Sequence, residues 1–244
     1  MLDPSLRPDV LVLQHTVEDG PGYLGQWLDA QRVGWQVRCA EAGDDYPVSV
    51  RPYRALAVLG GEWSANDDRA SLRHAEALIR EADALGLPVI GHCLGGQLLA
   101  RAFGGCVQRL PVPEIGWRPI DIADTALARH WFGPTHRATV YQWHHDSFVT
   151  LPLGALPLAS SPACAHQAFA LGPHLGMQFH IEITPGKIEA WLGHPGPAYP
   201  EAVKHHPDTV QAPAAMRTAT AEHQAGSQAL ADAIYATWRS RWRA

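Results

Sequence analysis

The first hundred residues alternate short apolar runs with stretches of helical periodicity. The apolar runs are rich in Val, Leu and Ile, and they predict buried strands at residues 10–13, 35–39, 56–59 and 88–90. The stretches between and after them predict helices at residues 23–33, 69–85 and 95–103. Because apolar strands joined by helices are typical of right-handed βαβ units, we expect an α/β fold with a mostly parallel central sheet and helices on both faces.

The pattern changes after residue 112, where shorter strand-like pieces replace the alternation of strands and helices. Residues 138–143, 168–171 and 175–179 predict a small antiparallel extension that returns to the main sheet. A helix is expected at residues 184–192, followed by a proline-rich surface connection at 194–213. The last helix, at residues 219–242, carries an apolar stripe at four-residue spacing that predicts core packing: Leu230, Ile234, Trp238 and Trp242. The chain contains no repeat and no linker, so we expect residues 1–244 to form a single domain.

Composition and charge narrow the classes of function. Of the 244 residues 46% are hydrophobic, and a formal net charge of −5 offers no overall attraction to nucleic acid. No apolar stretch is long enough to span a bilayer, and residues 1–4 do not begin a signal peptide. The four cysteines are widely spaced, without a C-x-x-C pair that would suggest zinc or a redox centre. We therefore expect a cytoplasmic protein without metal or cofactor, and with neither a membrane nor a nucleic acid as its partner.

The segment from Gly91 to Gly95 combines the end of a strand with a potential nucleophile. A buried strand runs into G-x-C-x-G and then directly into a helix, which is the cysteine form of a nucleophile elbow. Such a turn strains its central residue, and side chains at the flanking positions would crowd it. Cys93 is then expected at the carboxyl end of a parallel sheet, with its sulfur at a helix N-terminus that favours the thiolate. Taken alone, the segment is equally compatible with a glycine-rich turn around a buried thiol.

A second segment, residues 176–182, ends an apolar strand in His180-x-Glu182. The period of two along a strand places both side chains on the same side. Glu182 can then orient the imidazole and stabilise its protonated form while His180 accepts the proton of a thiol. Downstream of a cysteine elbow, this pair indicates the base and the orienting carboxylate that a nucleophile needs.

Five stretches, in the same order along the chain, resemble the class I, triad-type glutamine amidotransferases. The resemblance is greatest to stand-alone proteins similar to the amidotransferase half of GMP synthetase, and it covers essentially the whole chain. It implies a flavodoxin-like α/β fold and a small-molecule substrate. The matching stretches are the oxyanion loop at residues 59–67, the nucleophile segment at 91–105, the substrate-side loop at 142–146 and the closing strands at 164–169 and 178–182.

The resemblance implies the catalytic roles. Cys93 would be the nucleophile, His180 the general base and acid, and Glu182 the group that orients the histidine. Backbone N–H groups of Gly61 and Leu94 would form the oxyanion hole. This arrangement is reasonable in the predicted fold, because residue 94 begins a helix and residue 61 follows the neighbouring strand.

The resemblance also implies substrate-binding residues, and the chain departs from the family's pattern beside some of them. Gln97 would hold the amino-acid end of the substrate together with the loop at His145 and Asp146. The family usually has proline at positions 62 and 181, glycine at 145 and an apolar residue at 92. The residues found there are Glu62, Ile181, His145 and His92.

More than one function remains open at the level of sequence. The chain either supplies ammonia from glutamine to a separate synthetase, or works alone as a γ-glutamyl peptidase or hydrolase. It contains no G-x-x-x-x-G-K-S/T phosphate loop, so an ATP-driven amination would require a partner synthetase. A catalytically idle binding or regulatory module is the alternative from another class, and the intact Cys93, His180 and Glu182 argue against it. An α/β-hydrolase is disfavoured because its acid precedes its histidine in the chain, whereas Glu182 follows His180.

Overall fold

The computed structural model describes residues 8–243, which build one nine-stranded sheet flanked by helices. The strands are β1 Val10–Gln14, β2 Trp35–Cys39, β3 Ala55–Val58, β4 Val89–His92, β5 Cys106–Ile122, β6 Arg137–Thr150, β7 Leu156–Ser160, β8 Ala168–Leu171 and β9 His174–Met177. The helices are α1 Gly22–Ala30, α2 Ala70–Ala84, α3 Leu94–Ala102, α4 Ala126–Phe132, α5 Pro185–Gly193, α6 Tyr199–His205 and α7 Pro213–Ser240. The absence of a signal peptide is predicted from residues 1–4, which lie outside the described residues.

Five strands form the parallel half of the sheet. The spatial order is β2-β1-β3-β4-β9-β8-β7-β5-β6, and the pairings from β2 through β9 are parallel. Because parallel strands end at the same edge of a sheet, the loops after β1, β3 and β4 open on one side of the molecule. The predicted α/β fold with a parallel central sheet is confirmed.

The remaining four strands form the antiparallel extension. It is larger than the short apolar pieces of the sequence indicate, because β5 has 17 residues and β6 has 14. Prolines and a register shift between Arg109 and Glu114 interrupt the alternation of β5, so the sequence pattern breaks into fragments. The pairing of β5 with β6 places Arg109 opposite Asp146, near the catalytic edge.

Two apolar clusters cover the two faces of the sheet. Strand β1 contributes to both, since Val10 and Val12 pack on one face while Leu11 and Leu13 pack on the other. Helices α1, α4 and α7 cover the first face, and α2 and α3 cover the second. The prediction of helices on both faces is therefore confirmed.

The long C-terminal helix α7 packs its apolar stripe into the core. Ile234 and Trp238 are fully buried, Leu230 is nearly so, and Trp242 packs against the same cluster just beyond the helix end. The helix begins at Pro213, six residues before the predicted start, because proline is compatible with the first turn of a helix. Within residues 8–243, no helix is long and apolar enough to cross a membrane.

Candidate active site

Cys93 occupies the sharp turn between β4 and α3. Its backbone has φ 47° and ψ −109°, a left-handed conformation that a non-glycine residue rarely adopts. The Cys93 amide donates to Met177 O at 2.8 Å, which ties the turn to the end of β9. Strain held in place by surrounding hydrogen bonds is typical of a functional turn, and the predicted elbow is therefore present in the structure.

The glycines on both sides of Cys93 are required by close backbone packing. A Cβ on Gly91 would lie 2.6 Å from the carbonyl carbon of Gly95. A Cβ on Gly95 would collide with the carbonyl oxygen of Val58 in the neighbouring strand. Only glycine at these two positions lets α3 begin directly against the sheet.

Cys93 lies in a cavity of about 320 Å³ at the carboxyl edge of the parallel strands. The side chain is 6% exposed, and its sulfur accepts a hydrogen bond from Gln178 Nε2 at 3.4 Å. Seven of the eight predicted site residues line this cavity: Gly61, Cys93, Leu94, Gln97, His145, Asp146 and His180. The eighth, Glu182, is fully buried behind His180.

His180 and Glu182 form a buried hydrogen-bonded pair. His180 Nδ1 lies 2.7 Å from Glu182 Oε1, while the His180 amide donates to Tyr141 O at 2.9 Å. Both residues follow the end of β9 at Met177, and an isolated antiparallel bridge to Tyr141 holds His180 there. The other ring nitrogen, Nε2, is buried and makes no hydrogen bond within residues 8–243, and His180 lines the cavity that holds Cys93.

The electrostatics of this pair favour a protonated imidazole. Burial by itself lowers the pKa of His180, but Glu182 and Cys93 raise it more strongly, to about 10. Burial would raise the pKa of Glu182, yet His180 and Lys187 bring it well below its usual range. At neutral pH the site therefore holds an imidazolium beside the cysteine sulfur, which is the partner that a thiolate requires.

A buried lysine stands behind the histidine–glutamate pair, and sequence reasoning missed its role. Lys187 Nζ lies 2.5 Å from Asp19 Oδ1 and 3.4 Å from Glu182 Oε1, and it donates to Gly20 O at 2.8 Å. Burial lowers the pKa of Lys187, but Asp19 and Glu182 raise it, so the ammonium group keeps its charge. The only sequence signal is that lysine occurs just twice in the chain.

The same carboxylates do not build a metal site. Asp19, His180 and Glu182 bring potential ligand atoms close together. However, the Lys187 ammonium already contacts both carboxylates, and His180 Nδ1 already contacts Glu182. A metal ion would have to displace a paired cation, so these groups fit an ion-pair network and not a metal centre.

His92, one of the departures from the family pattern, lies on the far side of Glu182. Its Nε2 is 3.9 Å from Glu182 Oε2 and 3.3 Å from the hydroxyl of Tyr235 on α7. Burial lowers the pKa of His92 more than Glu182 raises it, so this imidazole is neutral at neutral pH. His92 is therefore a polar neighbour of the second carboxylate oxygen and adds no charge there.

The two residues whose backbone N–H groups are predicted to form an oxyanion hole, Gly61 and Leu94, line the same cavity as Cys93. Leu94 is the first residue of α3, and Gly61 follows β3 at the same edge of the sheet. Neither amide donates to another group in the part of the chain that the structure describes. A Cβ on Gly61 would lie 3.2 Å from Leu94 Cδ2, so the two residues are close neighbours.

The predicted substrate-side residues are also brought together. Gln97 Nε2 donates to Asp146 O at 3.0 Å, and Ser64 Oγ donates to Asp146 Oδ2 at 2.7 Å. His145 Nδ1 lies 3.4 Å from Arg109 Nη2, and burial together with Arg109 lowers the pKa of His145. Arg109 lines the cavity, and sequence reasoning missed it because an arginine in an interrupted strand carries no local signal.

Aromatic and loop residues form the outer wall. The Trp191 ring of α5 stands edge-on to His180, with ring centroids 4.9 Å apart, and its Nε1 donates to Glu18 O. Trp143 stacks on Tyr199 of α6. The mostly exposed loop between α5 and α6, residues 194–198, also lines the cavity, and so does Glu62 in the loop after β3.

Comparisons with known proteins show the family of this chain. A family model, glutamine amidotransferase class I, matches residues 44–192. A glutamine amidotransferase-like protein of Salmonella typhimurium, YfeJ, is 31% identical over 193 residues, covering 75% of this chain and 79% of that protein. One subunit of the glutamine-hydrolysing GMP synthase of Saccharolobus solfataricus is 34% identical over 136 residues, covering 55% of this chain and 70% of that subunit. The crystal structure of a glutamine amidotransferase from Methylobacillus flagellatus matches with a TM-score of 0.91 at 34% identity, covering 98% of this chain and 96% of that one.

Proposed function

Because this chain belongs to the class I glutamine amidotransferase family, we propose that it hydrolyses the γ-amide of glutamine, or a γ-glutamyl bond, through a thioester on Cys93. One observation carries the proposal: Cys93 on its strained turn shares a cavity with His180, whose other nitrogen is hydrogen-bonded to Glu182. Nucleophile, base and orienting carboxylate are the groups that acyl transfer needs.

In the first half-reaction the Cys93 thiolate attacks the γ-carbonyl carbon. A carbon–sulfur bond forms, and the negative charge that develops on the oxygen is held by the N–H groups of Gly61 and Leu94. Protonated His180 then donates its Nε2 proton to the leaving nitrogen, and the carbon–nitrogen bond breaks. Ammonia leaves from glutamine, or an amine from a γ-glutamyl compound, and the γ-glutamyl group remains on sulfur.

In the second half-reaction the neutral His180 accepts a proton from water. The resulting hydroxide attacks the thioester carbon, sulfur leaves as the thiolate, and glutamate is released. His180 is again protonated, so the resting state is restored. Glu182 keeps the imidazole oriented throughout and stabilises its positive charge.

Arg109 and its neighbours are the groups that bind the amino-acid end of the substrate. Among the described residues that line the cavity, Arg109 is the only arginine or lysine. The substrate carries an α-carboxylate, and a guanidinium binds carboxylates through directed N–H groups. Arg109 lies opposite Asp146 in the pairing of β5 with β6, and the Asp146 carbonyl accepts a hydrogen bond from Gln97. We therefore place the α-carboxylate of the substrate beside these residues.

Two versions of the activity have separate support. The relative from Saccharolobus solfataricus is named as part of a GMP synthase, which favours ammonia supply to a separate synthetase. The cavity reaches the exposed loop at residues 194–198, which leaves room for an amine larger than ammonia and favours a γ-glutamyl peptidase. A cytoplasmic location stays a prediction from the sequence.

The test is the release of glutamate from glutamine and from γ-glutamyl dipeptides. Cys93→Ala should abolish release, whereas Cys106→Ala, a half-buried cysteine outside the cavity, should leave it unchanged. Rapid turnover of dipeptides with poor turnover of glutamine would identify the peptidase, and slow hydrolysis of glutamine alone would identify an ammonia supplier. If no γ-glutamyl compound gives Cys93-dependent release, the hydrolytic function is wrong and the idle binding module is the better interpretation.

A further inference from the structure

The buried pair of Lys187 and Asp19 is not needed by a cysteine–histidine–glutamate mechanism, yet it touches that machinery. Lys187 is 9% exposed and Asp19 is 4% exposed. Lysine is among the residues that are least often buried, and a buried lysine is normally paired. Here the pairing is with the carboxylate that orients His180, so the ion pair is part of the electrostatic surroundings of the reacting imidazole.

Lys187 and His180 share one oxygen atom. Glu182 Oε1 lies 2.7 Å from His180 Nδ1 and 3.4 Å from Lys187 Nζ. A second cation on the same carboxylate oxygen weakens the stabilisation that this oxygen gives to the imidazolium. Lys187 therefore acts to make His180 a weaker base, and a more ready proton donor, than a histidine–glutamate pair alone would provide.

Asp19 has the opposite effect. It neutralises Lys187, and one of its carboxylate oxygens lies within 4.8 Å of a ring nitrogen of His180. Both groups border the Cβ side of Gly60, because a Cβ there would collide with Asp19 Oδ2 and would lie 2.9 Å from His180 Cε1. A negative charge at such a distance favours the protonated imidazole.

We propose that Lys187 and Asp19 are positioning residues that set the basicity of His180 through opposed charges beside the His180–Glu182 pair. The inference rests on the proposed function only for the role of His180 in catalysis. The charge effects on His180 exist whether or not the substrate is a γ-glutamyl compound. The other groups that face this pair are Cys93, neutral His92 on β4 and the Tyr235 hydroxyl on α7. Cys93, His92 and Tyr235 are unchanged in the Lys187, Asp19 and Lys204 variants.

The experiment measures the titration of His180 directly, on the whole protein. Protein labelled with ¹³C at histidine Cε1 is titrated by NMR, and the His180 signal is assigned by its absence from His180→Gln. Lys187→Met should raise the midpoint by roughly one pH unit or more, and Asp19→Asn should lower it by a similar amount. Lys204→Met, which removes the chain's other lysine from an exposed position, should leave it unchanged.

The decisive result is that the His180 titration midpoint moves up in Lys187→Met and down in Asp19→Asn. Loss of packing alone would not shift the two midpoints in opposite directions. Movement in the same direction, or no movement relative to Lys204→Met, overturns the proposal. If Lys187→Met does not fold, Asp19→Asn decides: a lower midpoint supports the proposal and an unchanged midpoint refutes it. The basic limb of the pH profile of kcat/KM should move with the NMR midpoint. Failure of turnover with the NMR shifts intact would refute the hydrolytic function and leave this inference standing.

Discussion

The most informative perturbation is Glu182→Gln, which removes the charge behind His180 while keeping the size of the side chain. The pKa of His180 rises from 6.5 to about 10 in the folded protein. At about 1.4 kcal/mol per pKa unit, this difference corresponds to about 5 kcal/mol of stabilisation of the imidazolium. In measured cases, breaking a buried ion pair by removing one partner costs about 3–5 kcal/mol. We therefore expect Glu182→Gln to lower the free energy of unfolding by about 3–5 kcal/mol near pH 6.

The pH dependence of this loss has a definite sign. The folded protein keeps the His180 proton up to about pH 10, whereas an unfolded chain releases it near pH 6.5. The contribution is therefore fully present below pH 6.5, and it is lost as the pH rises through 10. The pKa of Glu182 is depressed, so the stability that this carboxylate contributes is lost only in acid. That loss sets the lower end of the pH range over which the pair is stabilising. The difference between wild type and Glu182→Gln should thus be larger at pH 6 than at pH 10.

Urea unfolding of both proteins at pH 6 and pH 10 tests the reasoning, provided that each shows a single transition. Glu189→Gln is the matched control, because Glu189 forms an exposed pair with Arg217 on the surface. This control should leave the unfolding midpoint close to that of wild type at both pH values. The reasoning is refuted if Glu182→Gln resembles Glu189→Gln at pH 6, or if its loss is the same at both pH values.

Three further changes test other parts of the structure. Gly91→Ala places a methyl group 2.6 Å from Gly95, so the turn that holds Cys93 must shift, and alkylation of Cys93 by iodoacetamide should be slower than in wild type. An unchanged rate would contradict the packing argument. Arg109→Gln should raise the KM for glutamine about tenfold or more with a smaller change in kcat, and it should have little effect on an analogue whose α-carboxylate is replaced by a carboxamide. Trp238→Ala empties a fully buried site on α7 and should cost about 3–5 kcal/mol in urea unfolding. A cost below about 1 kcal/mol would mean that α7 is not anchored as described.

The parallel half of the fold could be predicted because its signals are local. The strand predicted at residues 35–39 is β2, and the apolar run at residues 10–13 is β1 with one residue added. Strand β1 is fully buried and is followed by helix α1, and the half-buried edge strand β2 follows that helix, so both patterns stand out without knowledge of their partners. Strand β5 gives no comparable signal, since its pairing with β6 and β7 joins residues far apart in the chain.

The candidate site likewise contains residues that carry a local sequence signal and residues that carry none. Cys93 lies between glycines that the turn requires, and His180 lies two residues before Glu182, so each group carries its own short pattern. Lys187 contacts Asp19 across 168 positions of sequence, and neither residue has a local pattern that distinguishes it from a surface charge. Tertiary packing alone turns these two residues into a buried pair, which is why sequence reasoning could not place them in the site.

The residues of the proposed reaction and the charged residues proposed to select the substrate lie on different halves of the sheet. Cys93, Gly61 and Asp19 follow β4, β3 and β1 of the parallel half, where backbone contacts too close for a side chain restrict what can change. Arg109 and His145 lie instead on β5 and β6 of the antiparallel extension, and both are partly or fully exposed. A substitution there changes the charge at the cavity without altering the turn that holds Cys93. Under the proposed function, the departure from the family pattern at His145 therefore bears on which γ-glutamyl compound is selected, while the His180–Glu182 pair remains intact.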